Sequence, residues 1–183
     1  MRPGVWTARP MPSVVLIDGR SGSGKTTLAG RLAADLGASR LHLENLYPGW
    51  DGLAEGSRSV AVALDTGEYR QFDWHAGAFT EIVRLDPSRP LVIEGCGAVT
   101  VANLAAARRF AGSGCGAASL GSDAHLVRSI WLECPEALRR ERAIGRDGEL
   151  YAPHWERWAR QERAHFAAAR PIALVDEIIH VDG

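Results

Sequence analysis

Lysine is almost absent from this 183-residue chain: of 21 lysines and arginines, 20 are arginine and one, Lys25, is lysine. Other scarcities narrow the possibilities. Basic and acidic side chains nearly cancel, 21 against 22, for a net charge of −1, so no electrostatic case exists for a nucleic-acid or membrane-surface partner. No apolar run reaches the roughly 18 residues of a membrane-spanning helix. The three cysteines, Cys96, Cys115 and Cys134, are odd in number and form no Cys-x-x-Cys pair. That argues against a disulfide framework or a cysteine zinc site and fits a reducing, cytoplasmic setting. The histidines His42, His125, His154, His165 and His180 show no metal-ligand spacing. Met1 to Pro12 hold three prolines and no apolar run; they are expected to form a disordered tail, with Met11 an alternative start.

The lone lysine closes Gly19-Arg20-Ser21-Gly22-Ser23-Gly24-Lys25-Thr26, a full match to G-x-x-x-x-G-K-[ST]. A compact ammonium fits inside a ring of backbone N–H groups where a planar guanidinium does not. The flanks agree with the motif. Val14-Val15-Leu16-Ile17 reads as a strand buried on both faces, and Leu28, Leu32 and Leu36 place one apolar face on a helix over Thr26 to Leu36, stopped at Gly37. Strand, glycine turn and helix N-terminus in that order form a phosphate-binding site.

Further strand-like runs occur at Arg40–Leu43, Pro90–Ile93, Val127–Leu132 and Ile178–Val181, separated by helical patterns at Val101–Phe110, Pro135–Ile144 and Pro153–Ala169. This alternation predicts βαβ units and a parallel sheet covered on both faces, with ligands at the C-terminal strand ends. Hydrophobic content of 46% and charged content of 23% suit a single globular domain over residues 13–183. Leu46 to Phe79 is polar, aromatic and turn-rich, and reads as a substrate-covering insertion. Gly112 to Asp123 reads as a surface loop.

Thr26 is placed to bind Mg²⁺ through its hydroxyl, and Glu94, ending Leu91-Val92-Ile93, is a second metal-site candidate; the competing reading is an acid that caps the next turn. Glu44, ending the second strand, is placed to accept a proton from an acceptor hydroxyl, or is a solvent-exposed loop acid. Arg139, Arg142 and Arg146 recur at i, i+3, i+7 on one helical face, suited to a transferring phosphoryl group or simply solvated beside Glu136 and Glu141. Asp73 and His75 carry hydrogen-bonding groups for a hydroxylated ligand and Trp74 a stacking ring. Trp155 and Trp158, three residues apart, read as core packing.

With these residues laid out, the chain resembles the uridine kinase-like group of P-loop kinases. Ile17 to Ala29 is similar to that group's opening. Glu44-Asn45-Leu46-Tyr47 resembles its Asp-x-Phe-Tyr segment, with Glu in the place of the catalytic-base Asp. Gln71 to Phe79 resembles its nucleoside-binding Asn-Phe-Asp-His-Pro-x-Ala-Phe stretch, with the His displaced by one residue and the Pro missing. Ile93-Glu94-Gly95 is similar to its third-strand end, and Arg142 to Asp147 to the Arg-Ile-x-Arg-Asp of its lid, here placed at about 139–153.

The expectation is therefore a three-layer α/β P-loop NTPase domain with about five parallel strands in the order 2-3-1-4-5. It transfers phosphate from ATP to a small-molecule hydroxyl, most readily a nucleoside's. In this reading Gly19, Ser21, Gly22, Ser23, Gly24, Lys25, Thr26 and Thr27, with Arg139, bind the ATP phosphates, and Thr26 with Glu94 places Mg²⁺. Glu44 takes the acceptor proton, Arg142 and Arg146 close over the phosphates, and Tyr47, Asp73 and His75 position the acceptor. Two rivals stand beside it. A nucleoside monophosphate kinase would use Arg58, Arg70 or Arg84 on a phosphate acceptor, and a regulatory ATPase module would turn over no small molecule. A GTPase's Asn-Lys-x-Asp is ruled out, because Lys25 is the sole lysine.

Overall fold

The computed structural model describes residues 13–114, 126–148 and 151–182. The tail at 1–12, Cys115, His125 and most of the loop expected at 112–123 lie outside them. Strand β1 (Val14–Gly19) runs into α1 (Lys25–Leu36), β2 (Ser39–His42) and α2 (Leu53–Thr66). A hairpin of β3 (Glu68–Asp73) and β4 (Ala78–Arg84) precedes β5 (Leu91–Glu94), α3 (Val101–Gly114), β6 (Val127–Glu133), α4 (Glu136–Asp147), α5 (Trp155–Ala169) and β7 (Glu177–His180).

Five strands form one sheet in the order β2-β5-β1-β6-β7, every neighbouring pair parallel. In whole-chain numbering this differs from the expected 2-3-1-4-5, because the hairpin takes the third and fourth numbers. Counted among themselves, the sheet strands run second, third, first, fourth, fifth. All six residues of β1 are buried, and the pleat sends successive side chains to opposite faces. Val15 and Ile17 meet Ala29, Leu32 and Ala33 of α1. Val14 and Leu16 join the larger core, to which α2, α3 and α5 contribute Val60, Leu104 and Trp158. The result is a three-layer α/β fold. No described helix is long and apolar enough to cross a membrane.

The segment 46–79 is not one unit. The sequence reading assigned no helix there, yet α2 buries Leu53, Val60, Ala63 and Leu64 and packs on α3. Gly56 and Ser57 interrupt its apolar stripe because of what packs there: a Cβ on Gly56 would lie 2.4 Å from the Tyr47 ring, and Ser57 Oγ donates to the Gly97 carbonyl at 2.7 Å. The hairpin that follows runs on to Arg84. Its strands escaped notice because both are largely exposed, with Tyr69 and Phe72 their buried residues.

Candidate active site

Parallel strands bring the ends of β1, β2 and β5 to one edge, where Glu94 is in register with both His42 and Ile17. The glycine-rich loop follows β1, and its Gly22 has φ +79°, a left-handed conformation that glycine tolerates. A side chain there would also lie 2.1 Å from the Arg139 carbonyl oxygen, so the start of α4 rests directly on the loop.

Lys25 is 8% exposed. Its Nζ donates to the Arg20 carbonyl at 2.9 Å and lies 3.6 Å from Cys96 Sγ. Burial lowers its pKa, but the surrounding acidic groups, Glu94, Glu162 and Asp18 among them, outweigh that and hold it above the ordinary value, so the ammonium stays charged. Thr26 Oγ1 donates to Glu94 Oε1 at 3.1 Å, and His42 Nδ1 lies 2.6 Å from the same oxygen. Burial raises the Glu94 pKa, yet the His42 hydrogen bond and the Lys25 charge bring it below the usual value. The structure thus brings Lys25, Thr26 and Glu94 together. A threonine hydroxyl beside an ionised carboxylate is the sparse, hard-oxygen donor set that suits Mg²⁺, which draws its remaining ligands from water and phosphate.

Three groups here were missed. Asp18, fully buried, takes the N–H of Gly19 at 2.7 Å and of Gly97 at 2.9 Å on Oδ1, and that of Val99 at 2.9 Å on Oδ2. Burial pushes its pKa up to about 6 against the pull of those bonds. Glu162 is 1% exposed on α5; its Oε1 accepts the Ser21 N–H at 2.7 Å and the Cys96 thiol at 3.3 Å, and Arg20 lies 3.8 Å from Oε2. Cys96, beside Lys25 and Glu162, is held protonated by burial, its pKa pushed up to about 12. Both carboxylates left a trace in the sequence. Asp18 interrupts an apolar strand, and Glu162 occupies an apolar-stripe position of Trp155, Trp158 and Phe166. His42, given no role, is the partner of Glu94.

Two expected site residues are corrected. Tyr47 does not face an acceptor. It is 2% exposed, donates to the Cys96 carbonyl at 2.9 Å and packs edge-on against Trp158 at 4.9 Å; its place after the Leu43–Asn45 turn drives the ring under α2. Tyr47→Phe is expected to lose about 1 kcal/mol of stability and leave the KM for any acceptor unchanged, read by denaturant unfolding and steady-state kinetics. Arg139 does not present its guanidinium to a nucleotide. Buried over Trp155 at 5.8 Å, it donates to the carbonyls of Cys134 at 3.0 Å and Ser21 at 3.1 Å, tying α4 to the glycine loop.

Arg142 and Arg146 are exposed on α4, with Arg146 4.0 Å from Glu44 across the cleft. Glu44 follows β2 on a short 3-10 turn, its side chain 66% exposed. Asp73 caps its own hairpin turn, accepting the N–H groups of His75 and Ala76 at 2.8 and 3.0 Å, which lower its pKa; His75 is exposed. Trp74 is the residue of this turn that reaches the cleft: its indole N–H donates to the Glu44 carbonyl at 3.0 Å and its ring meets Trp50 at 5.0 Å. Trp50 also stacks on His154 at 4.1 Å, and Asp51 pairs with Arg157, so the turn before α2 is clamped to α5.

A possible uridine kinase from Bacillus stearothermophilus matches 96% of this chain and 91% of its own, at a TM-score of 0.53 and 18% identity. The chain has the P-loop kinase fold. A putative fructose transport system kinase from a Silicibacter species matches 94% of this chain and 92% of its own, at 0.52 and 21%. A sugar kinase from a Janibacter species matches 94% and 86%, at 0.52 and 20%. No protein-family model and no curated protein sequence matches the chain. Within this fold Glu44 is the meeting point of Arg146 from α4 and of Trp74, whose ring meets Trp50.

Proposed function

We propose that this chain is an ATP-dependent kinase acting on a hydroxyl of a small molecule, with a nucleoside the favoured acceptor. The observation that carries the reading is the sole lysine, buried and charged inside the phosphate loop, with Thr26 and Glu94 beside it. In this reading the loop N–H groups and Lys25 hold the β- and γ-phosphates. Thr26 and Glu94 hold Mg²⁺, which when bound neutralises phosphate charge. Arg142 and Arg146 approach the transferring group from α4, and Arg139 keeps α4 seated on the loop. Glu44 accepts the acceptor's proton. Trp50 and Trp74 form an aromatic wall beside Glu44 that suits a flat base or the apolar face of a sugar. The resemblance in Gln71–Phe79 and the likeness to a possible uridine kinase favour the nucleoside, with Asp73 and His75 at its rim.

A phosphate acceptor is less well served. Arg70 donates to the Phe79 carbonyl and Arg84 pairs with Glu68, so both arginines are engaged within the hairpin.

The deciding experiment measures ADP release with ATP and Mg²⁺ across a panel of nucleosides, sugars and nucleoside monophosphates. Stimulation by a nucleoside supports the full reading; stimulation by another alcohol keeps the kinase and changes the acceptor. If no small molecule raises ADP release, the regulatory module replaces it. With the acceptor in hand, Glu44→Gln is expected to lower kcat by about 10²-fold with little change in ATP affinity. A wild-type kcat would make Glu44 a loop acid.

A further inference from the structure

Beneath the C-terminal end of β6, on the α5 side of the sheet, lies a cleft of about 590 Å³. Arg163 and Phe166, at i and i+3 on one face of α5, and Arg170 at the cap that ends the helix line one wall. Trp131 and Glu133 of β6 line another, with the Trp131 indole N–H donating to Glu133 at 2.8 Å, and Arg20 closes the top. Neither Arg163 nor Arg170 makes a side-chain hydrogen bond or ion pair with any described residue. Arg20 lies over the Phe166 ring at 5.5 Å and 3.8 Å from Glu162. Three arginines therefore line one space; with Glu162 against Arg20 and Glu133 in the lining, one positive charge is left in excess.

Arg170 adds an independent observation. It caps α5 in the left-handed conformation, φ 49°, and is the one non-glycine residue with positive φ among the described residues. The corresponding caps of α1 and α2 are Gly37 and Gly67. A strained arginine where glycine is favoured points to a use for its side chain.

We propose that this cleft is a second ligand site that takes a phosphate monoester carried on a flat apolar body. Guanidinium forks match phosphate oxygens bidentately, a monoester near neutral pH carries close to two negative charges, and the exposed Ile172 of the lining, beside the edge of Phe166, meets the apolar body. The volume lies within the usual range for small-molecule sites. Arg20 links the cleft to the phosphate loop, since Glu162 holds both Arg20 and the Ser21 N–H.

The probe is phenyl phosphate, titrated calorimetrically into the full chain. Wild type and Lys25→Ala are expected to bind it equally, because the cleft does not include Lys25. The double variant Arg163→Ala, Arg170→Gly is expected to bind at least about tenfold more weakly. Glycine suits the cap, so its thermal unfolding should match wild type; if it does not, Arg163→Gln alone carries the test, with about a fivefold loss expected. Phenol, which lacks the phosphate, should not bind. The proposal is overturned if phenyl phosphate does not bind at millimolar concentration, if it binds the arginine variants as tightly as wild type, if Lys25→Ala abolishes binding, or if phenol binds as well.

Discussion

Lys25→Ala is expected to lower ATP turnover by at least about 10³-fold, in line with the removal of a preorganised charge from a phosphoryl-transfer site. The fold should persist. Lys25 makes one hydrogen bond to the Arg20 carbonyl and one contact with Cys96 and packs no apolar core; the charge lost to Glu94, Glu162 and Asp18 costs stability but leaves the sheet and its helices in place. Lys25→Arg is expected to be nearly as inactive: the space bounded by the Arg20 carbonyl and the Cys96 sulfur admits a compact ammonium and crowds a planar fork. ADP release, with circular dichroism to check folding, measures both. Turnover within tenfold of wild type in either variant would remove the kinase reading.

Asp18→Ala is expected to destabilise the protein by about 3–5 kcal/mol, because it strands the buried N–H groups of Gly19, Gly97 and Val99 at about 1–3 kcal/mol each, less the relief of desolvating a charge. The wild-type pH profile carries a matching signature. The Asp18 carboxyl titrates at about 6 when folded, against 3.8 for the ordinary group, so between those values the folded chain holds a proton that the unfolded chain releases. This group's contribution is fully present below pH 3.8 and is lost as pH rises through 6, a fall of up to about 3 kcal/mol. Denaturant unfolding from pH 3.5 to 7 should show that slope in wild type and its absence in Asp18→Ala. A loss below about 1 kcal/mol at pH 7 would mean that water or a shifted backbone satisfies the three donors.

The parts legible from sequence are those whose physics is local. Val14–Gly19, the glycine loop and α1 were readable because a doubly buried strand, a left-handed turn and a helical face each leave a pattern within a few residues. The long-range partners were not. Tyr47 looked like an acceptor contact because an aromatic hydroxyl near a motif says nothing of the Cys96 carbonyl that receives it, 49 residues away. Arg139 shared a helical face with Arg142 and Arg146, yet contact with Ser21, 118 residues distant, turned it into a brace. Helix α2 was hidden because Gly56 and Ser57 answer to the Tyr47 ring and the Gly97 carbonyl beside them, which no periodicity records.

The sequence by itself determined the glycine-rich loop after β1, the alternation that yields a parallel sheet, and the sheet edge at which that loop lies, since strand direction and glycine chemistry decide these within short windows. Only the tertiary structure decided that Glu162, from a helix 141 residues beyond Ser21, holds the loop, that His42 and Thr26 share Glu94, and that Arg20, Arg163 and Arg170 surround one cleft. Those arrangements depend on which elements the crossovers bring side by side. A buried carboxylate or an unpaired guanidinium acquires meaning only from the groups that packing sets within hydrogen-bonding reach of it.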